Sequence, residues 1–150
     1  MVNYSTQFLE FFTLNLNNLK KELIAYKNED NIWKVEGAIS NSAGNLTLHL
    51  IGNLNHFFGA TLGHTGYVRN REAEFTDKGI ARELLLTYLD ETIAMMEPVY
   101  NKLSNEDLEK TYPLKKQDAE VSTAHFMIHL LGHLTYHLGQ VNYHRRLIDL

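Results

Sequence analysis

Five histidines, His125, His129, His133, His137 and His144, fall between Thr123 and Leu150 in a stretch with no proline and helix-compatible spacing. His133 and His137 stand four residues apart. On an α-helix that spacing stacks their imidazoles on one face, a turn apart, where both reach one metal ion. A metal site is therefore the leading expectation from the residue pattern.

Wheel arithmetic at about 100° per residue sorts the histidines of this stretch. Phe126, Leu130, Leu134, Leu138, Val141 and Ile148 form an apolar sector, with His133, His137 and Gln140 along its edge. His125 and His129 drift toward the flank. Gln140 lies seven residues beyond His133 and belongs to the same inward strip, where it could hold a ligand, a water or a substrate. Asn45, His49, Asn53 and His56 repeat the design within roughly 80° of one another, beside Leu46, Leu50, Leu54, Phe57 and Phe58. Two facing strips would bring His49 or His56 opposite His133 and His137. Three nitrogen ligands and an open position would result, the arrangement of a catalytic rather than a closed structural site. Spacing does not choose between His49 and His56. For His64, His125, His129 and His144 the expected places are the surface, the flank, or behind a ligand imidazole.

The elements that must carry these strips are legible as four helical segments: Ser5 to Tyr26, Ala43 to Leu62, Gly79 to Leu103 and Ser122 to Ile148. Ser5, Ser42, Asp77 and Ser122 stand as possible start signals. At about 1.5 Å per residue each is on the order of 30 Å long, which suits an all-α four-helix bundle. Pro98 is expected to kink the third helix. The connections are long, which is uncommon unless they cross the bundle or cover a site. The last is expected to hold a short helical turn opened by Ser104 and ended before Tyr112 and Pro113. In the second, Arg69, Arg71, Glu72 and Glu74 could form an anion clamp at the bundle mouth, or simply pin the loop through their own salt bridges. Trp33 in the first is expected to plug one end of the bundle.

Composition narrows the class. A chain of 150 residues, 44% hydrophobic and 21% charged, suits one globular domain over residues 1–150. A net charge of −4 with scattered Lys and Arg argues against nucleic acid as a partner. No stretch has the length or apolarity of a membrane span, and no secretory leader is visible, so a cytoplasmic setting is expected. Cysteine is absent, which removes disulfides, thiolate ligands and a cysteine nucleophile. Leu134 follows His133 where a zinc protease of the His-Glu-x-x-His kind needs its glutamate, and there is no GxSxG, P-loop or dinucleotide fingerprint. Nor does a glutamate stand three residues before His133 or His137, as di-iron bundles require.

Three blocks then become recognisable: GAISNSAGNLTLHLIGNLNHFFG at residues 37 to 59, RNREAEF at 69 to 75, and HLTYHLGQVNYHRRL at 133 to 147. Together they resemble the DinB/YfiT-like superfamily of bacterial metal-binding four-helix bundles. The resemblance implies an up-down-down-up bundle, frequently dimeric, with nickel or zinc on three histidines. Its second-helix ligand matches His49 and its last-helix pair matches His133 and His137. A homodimer is also suggested by Phe8, Phe11 and Phe12, read as apolar residues left over from the bundle core.

Characterised members of the superfamily include enzymes that use low-molecular-weight thiols such as bacillithiol or mycothiol. Two expectations follow. In the first, a divalent metal on His49, His133 and His137 activates a thiol or water, with Gln140 and Asn53 near the reacting group, giving a thiol S-transferase or a hydrolase. The absence of cysteine fits a thiol that arrives as cosubstrate. In the second, the chain is a non-catalytic, stress-related metal or small-ligand binding protein. Neutral imidazoles bind metal, so occupancy and activity are expected to fall as pH drops through roughly 6.

Overall fold

The computed structural model describes residues 2–150 and is all-helical, with no strand among them beyond two isolated bridges, Thr111 with Ser122 and Lys116 with Ala119. The chain runs through α1 (Tyr4–Ile24), α2 (Ala43–Leu54), α3 (Thr61–Gly63), α4 (Arg71–Thr76), α5 (Arg82–Tyr100), α6 (Asn105–Glu109) and α7 (Thr123–Ile148). A 3₁₀ turn, Glu29–Trp33, interrupts the first connection. A π turn, Asn55–Ala60, joins α2 to α3, so the second helical segment is continuous but changes its winding beyond Leu54. The helix α1 packs on α5 and α7, and α2 on the same two. No helix of the described residues is long and apolar enough to cross a membrane.

Two of the four expected start signals act as read. Ser42 and Ser122 cap α2 and α7 by accepting from the backbone N–H of Asn45 and His125. At α1 the cap is Asn3, which accepts from Thr6, while the Ser5 hydroxyl donates to the Leu103 carbonyl at 2.6 Å. The third long helix starts at Arg82 instead of near Asp77: Gly79 adopts φ +68°, outside helical geometry, and the Asp77 carbonyl accepts from the Asn45 side chain. Pro98 falls in the last turn of α5, which runs on to Tyr100. Ser104 opens α6 with a capping box to Asp107, as expected.

One apolar cluster draws on all the long helices: Phe12, Leu16, Leu19 and Leu23 from α1, Leu46, Leu50 and Leu54 from α2, Leu85, Leu89 and Met96 from α5, and Phe126, Leu130 and Leu134 from α7. Phe12 is fully buried and Phe8 stacks on Tyr100, so of the three phenylalanines read as leftover only Phe11 is exposed. Trp33 lies against the start of α2 and donates from Nε1 to the Ile80 carbonyl at 3.3 Å. Gly44 allows that approach, since a Cβ there would stand 2.6 Å from the indole. At the far end of α7, His144 is buried. Its Nδ1 meets the Tyr26 hydroxyl at 2.6 Å and its Nε2 the Lys34 carbonyl at 2.8 Å. His144 is thus neither on the surface, nor on the flank, nor behind a ligand imidazole, the three places expected for it, but an interior pin between α1, α7 and the first connection.

Candidate metal centre

The site starts from two helices that meet in opposite senses. Phe57, beyond the end of α2, packs on Phe126 near the start of α7, while His49, two turns earlier, meets His133 and His137 further along α7. The spacing of four that placed His133 and His137 on one face now points both toward the turn that carries His49. Nε2 of His133 lies 3.0 Å from Nε2 of His49 and 3.1 Å from Nε2 of His137. One nitrogen from each ring falls within 4.8 Å of the other two. Three nitrogens held at about 2.0–2.1 Å from a single ion stand roughly 3 to 3.4 Å apart, so a small contraction or expansion suffices.

His56 is not in the cluster. It is seven residues from His49, so although the wheel aligns them it lies about 10 Å further along the axis. Its ring rests on Phe57 instead, with centroids 4.7 Å apart. His125 and His129 are exposed on the flank of α7, and His64 caps α3 with φ +51°.

The proton positions favour a cation between the rings. Glu74, only 5% exposed, places Oε1 2.9 Å from Nδ1 of His49. A carboxylate only accepts, so His49 carries its proton on Nδ1 and turns a bare Nε2 to the cluster. Gln140 Oε1 accepts in the same way from Nδ1 of His137 at 2.6 Å, leaving that Nε2 bare as well. His133 Nε2 faces both lone pairs and holds at most one proton. One of the two short contacts must therefore set lone pair against lone pair unless a cation lies among them. His133 Nδ1 is buried without a hydrogen-bond partner, so no protein group holds its proton on that side.

Burial lowers the pKa of His49, partly opposed by the hydrogen bond and charge of Glu74. It lowers that of His133 to about 4, with the neighbouring His137 and His49 adding in the same direction. Both rings are thus kept neutral, the form that ligates.

Glu74 is the functional side chain that the sequence reading undervalued. It belongs to α4, and Arg69 grips it with two bonds of 2.8 Å, from Nε to Oε2 and from Nη2 to Oε1. The loop is therefore pinned by its own salt bridge, the blander of the two readings, yet the pinned carboxylate is also what orients a histidine. Arg71 takes no part and lies over Phe75. Asn45 fastens the back of the segment, donating from Nδ2 to the carbonyls of Glu74 and Asp77 at 3.0 and 2.9 Å. Gly52 gives the carboxylate its room: a Cβ there would sit 2.0 Å from Glu74 Oε2. The signal available in the sequence was the pairing of Arg69 with Glu74 five residues on, but only the fold shows what the carboxylate faces.

Gln140 and Asn53, the two candidates for the reacting region, differ in placement. Gln140 is bonded to His137 and also donates from Nε2 to the Tyr136 hydroxyl at 3.3 Å. Asn53 is 7% exposed and its Oδ1 has no hydrogen-bond partner. A cavity of ≈ 580 Å³ adjoins the centre, with His137 and Gln140 in its wall.

An all-helical protein with three convergent imidazoles, one oriented by a buried carboxylate, is one whose residues could hold a metal ion. The chain belongs to the DUF1572 family, described as a protein of unknown function, whose model matches residues 3–149. No curated protein matches it.

Proposed function

We propose that the chain is a metal-dependent enzyme of the DinB-like superfamily, a single-domain four-helix bundle of up-down-down-up order with zinc or nickel on His49, His133 and His137. The observation that carries the reading is the mutual approach of the three Nε2 atoms with two of the rings oriented by Glu74 and Gln140. The DUF1572 match and the three sequence blocks support the superfamily assignment. A divalent ion there would supply Lewis acidity, lowering the pKa of a thiol or water brought to it. The residues do the rest: Glu74 and Gln140 hold His49 and His137 in their ligating tautomers, and Arg69 fixes the Glu74 carboxylate in place.

The reaction proposed is transfer of a low-molecular-weight thiol of the bacillithiol type to an electrophile, or failing that hydrolysis, with Gln140 and Asn53 beside the reacting group. The absence of cysteine from the chain supports a thiol supplied as cosubstrate. A cytoplasmic setting and a homodimer belong to the same proposal, with Phe11, 53% exposed, and Leu14, 51% exposed, available to a second copy. One observation favours the alternative of a non-catalytic, stress-related binding protein. Among the described residues the only carboxylate bonded to the triad is Glu74, and both its oxygens are engaged by Arg69, which leaves it poorly placed as a general base. Elemental analysis of the purified chain, followed by a thiol and electrophile screen on metal-loaded and chelated protein, decides between them. Metal-dependent turnover supports the enzyme, and equal rates in both forms remove it.

A further inference from the structure

The cavity beside His137 has a wall of unusual composition. Ile39, Leu46 and Leu147 line it together with Tyr136 and Tyr143. Its polar groups are uncharged: Ser40, Asn41 and Gln140. His144 also reaches the wall, but both its ring nitrogens are already bonded, to Tyr26 and to the Lys34 carbonyl, so it offers a ring surface and no free donor. Among the described residues, no Lys, Arg, Asp or Glu lines this cavity. A second cavity, ≈ 400 Å³ and lined by Glu74, Asp77 and Glu91, contains none of the three histidines. The charged cavity and the one that reaches the candidate metal centre are thus different spaces.

A volume of ≈ 580 Å³ falls within the range of about 300–1,000 Å³ typical of small-molecule sites, which are largely apolar with a few convergent polar groups. An ionised group on the body of an occupant would find no partner in such a wall, whereas an apolar body would cover the exposed faces of Tyr136, Tyr143 and Leu147. Aromatic faces and aliphatic ends favour a flat apolar body. The hydrogen-bonded chain from His137 through Gln140 to the Tyr136 hydroxyl ends in a phenolic O–H free to donate to a polar atom of an occupant. We propose that this cavity binds the uncharged, aromatic or alkyl body of a small substrate and directs its single polar head toward His137 and the ion. The assignment rests on the three-histidine reading and narrows it: the electrophile, or the acyl or aryl portion of a hydrolysed compound, has an uncharged apolar body, and any charge it carries sits on the head that meets the ion. Arg146 lies over the Tyr143 ring, its guanidinium 5.5 Å from the centroid, but is not part of the wall and does not make the cavity an anion site.

Fluorescence titration of the zinc-loaded full chain with 2-naphthol and with 6-hydroxy-2-naphthalenesulfonate, which keeps the hydroxyl head and puts a charge on the body, tests the assignment. Naphthol should bind about tenfold more tightly, and Leu147→Glu and Tyr143→Ala should each weaken it by roughly tenfold while zinc per chain stays as in the wild type. Sulfonate binding as tight as naphthol, wild-type naphthol affinity in both variants, or no naphthol binding at about 1 mM would each overturn the cavity assignment. Zinc analysis reads the centre separately. A chain that holds zinc but ignores naphthol refutes only the cavity, whereas one that binds naphthol but no zinc refutes the delivery of a head group to an ion.

Discussion

The buried carboxylate of Glu74 stands 2.9 Å from Nδ1 of His49, held there by two bonds from Arg69 and by the absence of a Cβ at Gly52. A residue on a six-residue helix between the long elements thereby controls the tautomer of a histidine on α2. Removing such a carboxylate usually costs about 10–100-fold in metal affinity. Glu74→Gln should weaken zinc binding by that order, measured by competition with a chromophoric chelator. Gly52→Ala should do the same without touching any polar group, since its Cβ displaces Glu74. Unchanged affinity in both variants would show that His49 needs no such partner.

Replacing His49, His133 or His137 by alanine should each reduce metal content to near background, whereas His56→Ala should leave it intact. Bond lengths of about 2.0–2.1 Å to three imidazoles in an X-ray absorption spectrum would agree. Loss of metal in His56→Ala with retention in His49→Ala would reverse the assignment.

The pH response should sit lower than ordinary imidazole chemistry implies. His49 and His133 titrate below 6.5 in the folded chain, His133 at about 4, because burial penalises their charged forms. Between about 6.5 and 4 the unfolded chain therefore binds more protons than the folded one, and stability rises with pH across that window. The metal-free protein should lose stability progressively as pH falls from about 6.5 toward 4, with little further loss from these groups below. Protons also compete less well for His49 and His133, so zinc occupancy should persist to lower pH than ligation by ordinary imidazoles would give. Thermal melts of chelated protein across this range provide the check: a midpoint independent of pH would contradict the burial of these rings.

Tyr26→Phe removes the hydroxyl that meets His144 Nδ1 at 2.6 Å. Leaving that buried nitrogen without its partner should cost about 1–3 kcal/mol in denaturant unfolding. Zinc content should not change, because His144 belongs to the interior pin and not to the cluster. A drop in zinc would instead tie the two regions together.

The residue pattern by itself determined the helices and most of their faces. The apolar spacing of Leu46, Leu50 and Leu54, and of Phe126, Leu130 and Leu134, marks the buried sectors, because a 3.6-residue period admits few ways to hide them. Ser42, Ser104 and Ser122 marked helix starts, since their oxygens satisfy exposed backbone N–H groups locally. The pairing of His133 with His137 was equally legible, being a matter of one turn of one helix. What lay between helices was not. Spacing left His49 and His56 equivalent, because a wheel discards position along the axis, and only the stagger of α2 against α7 puts His49 at the level of the pair. Asp77 looked like a helix start, yet its carbonyl serves Asn45 and the chain turns at Gly79 first. His144 looked peripheral until Tyr26 and the Lys34 carbonyl, more than a hundred residues away in sequence, closed over it. The role of Glu74 depends on Gly52, Arg69 and His49 meeting in space. Local periodicity chooses the elements and their faces, and packing between distant segments decides which polar groups share a site.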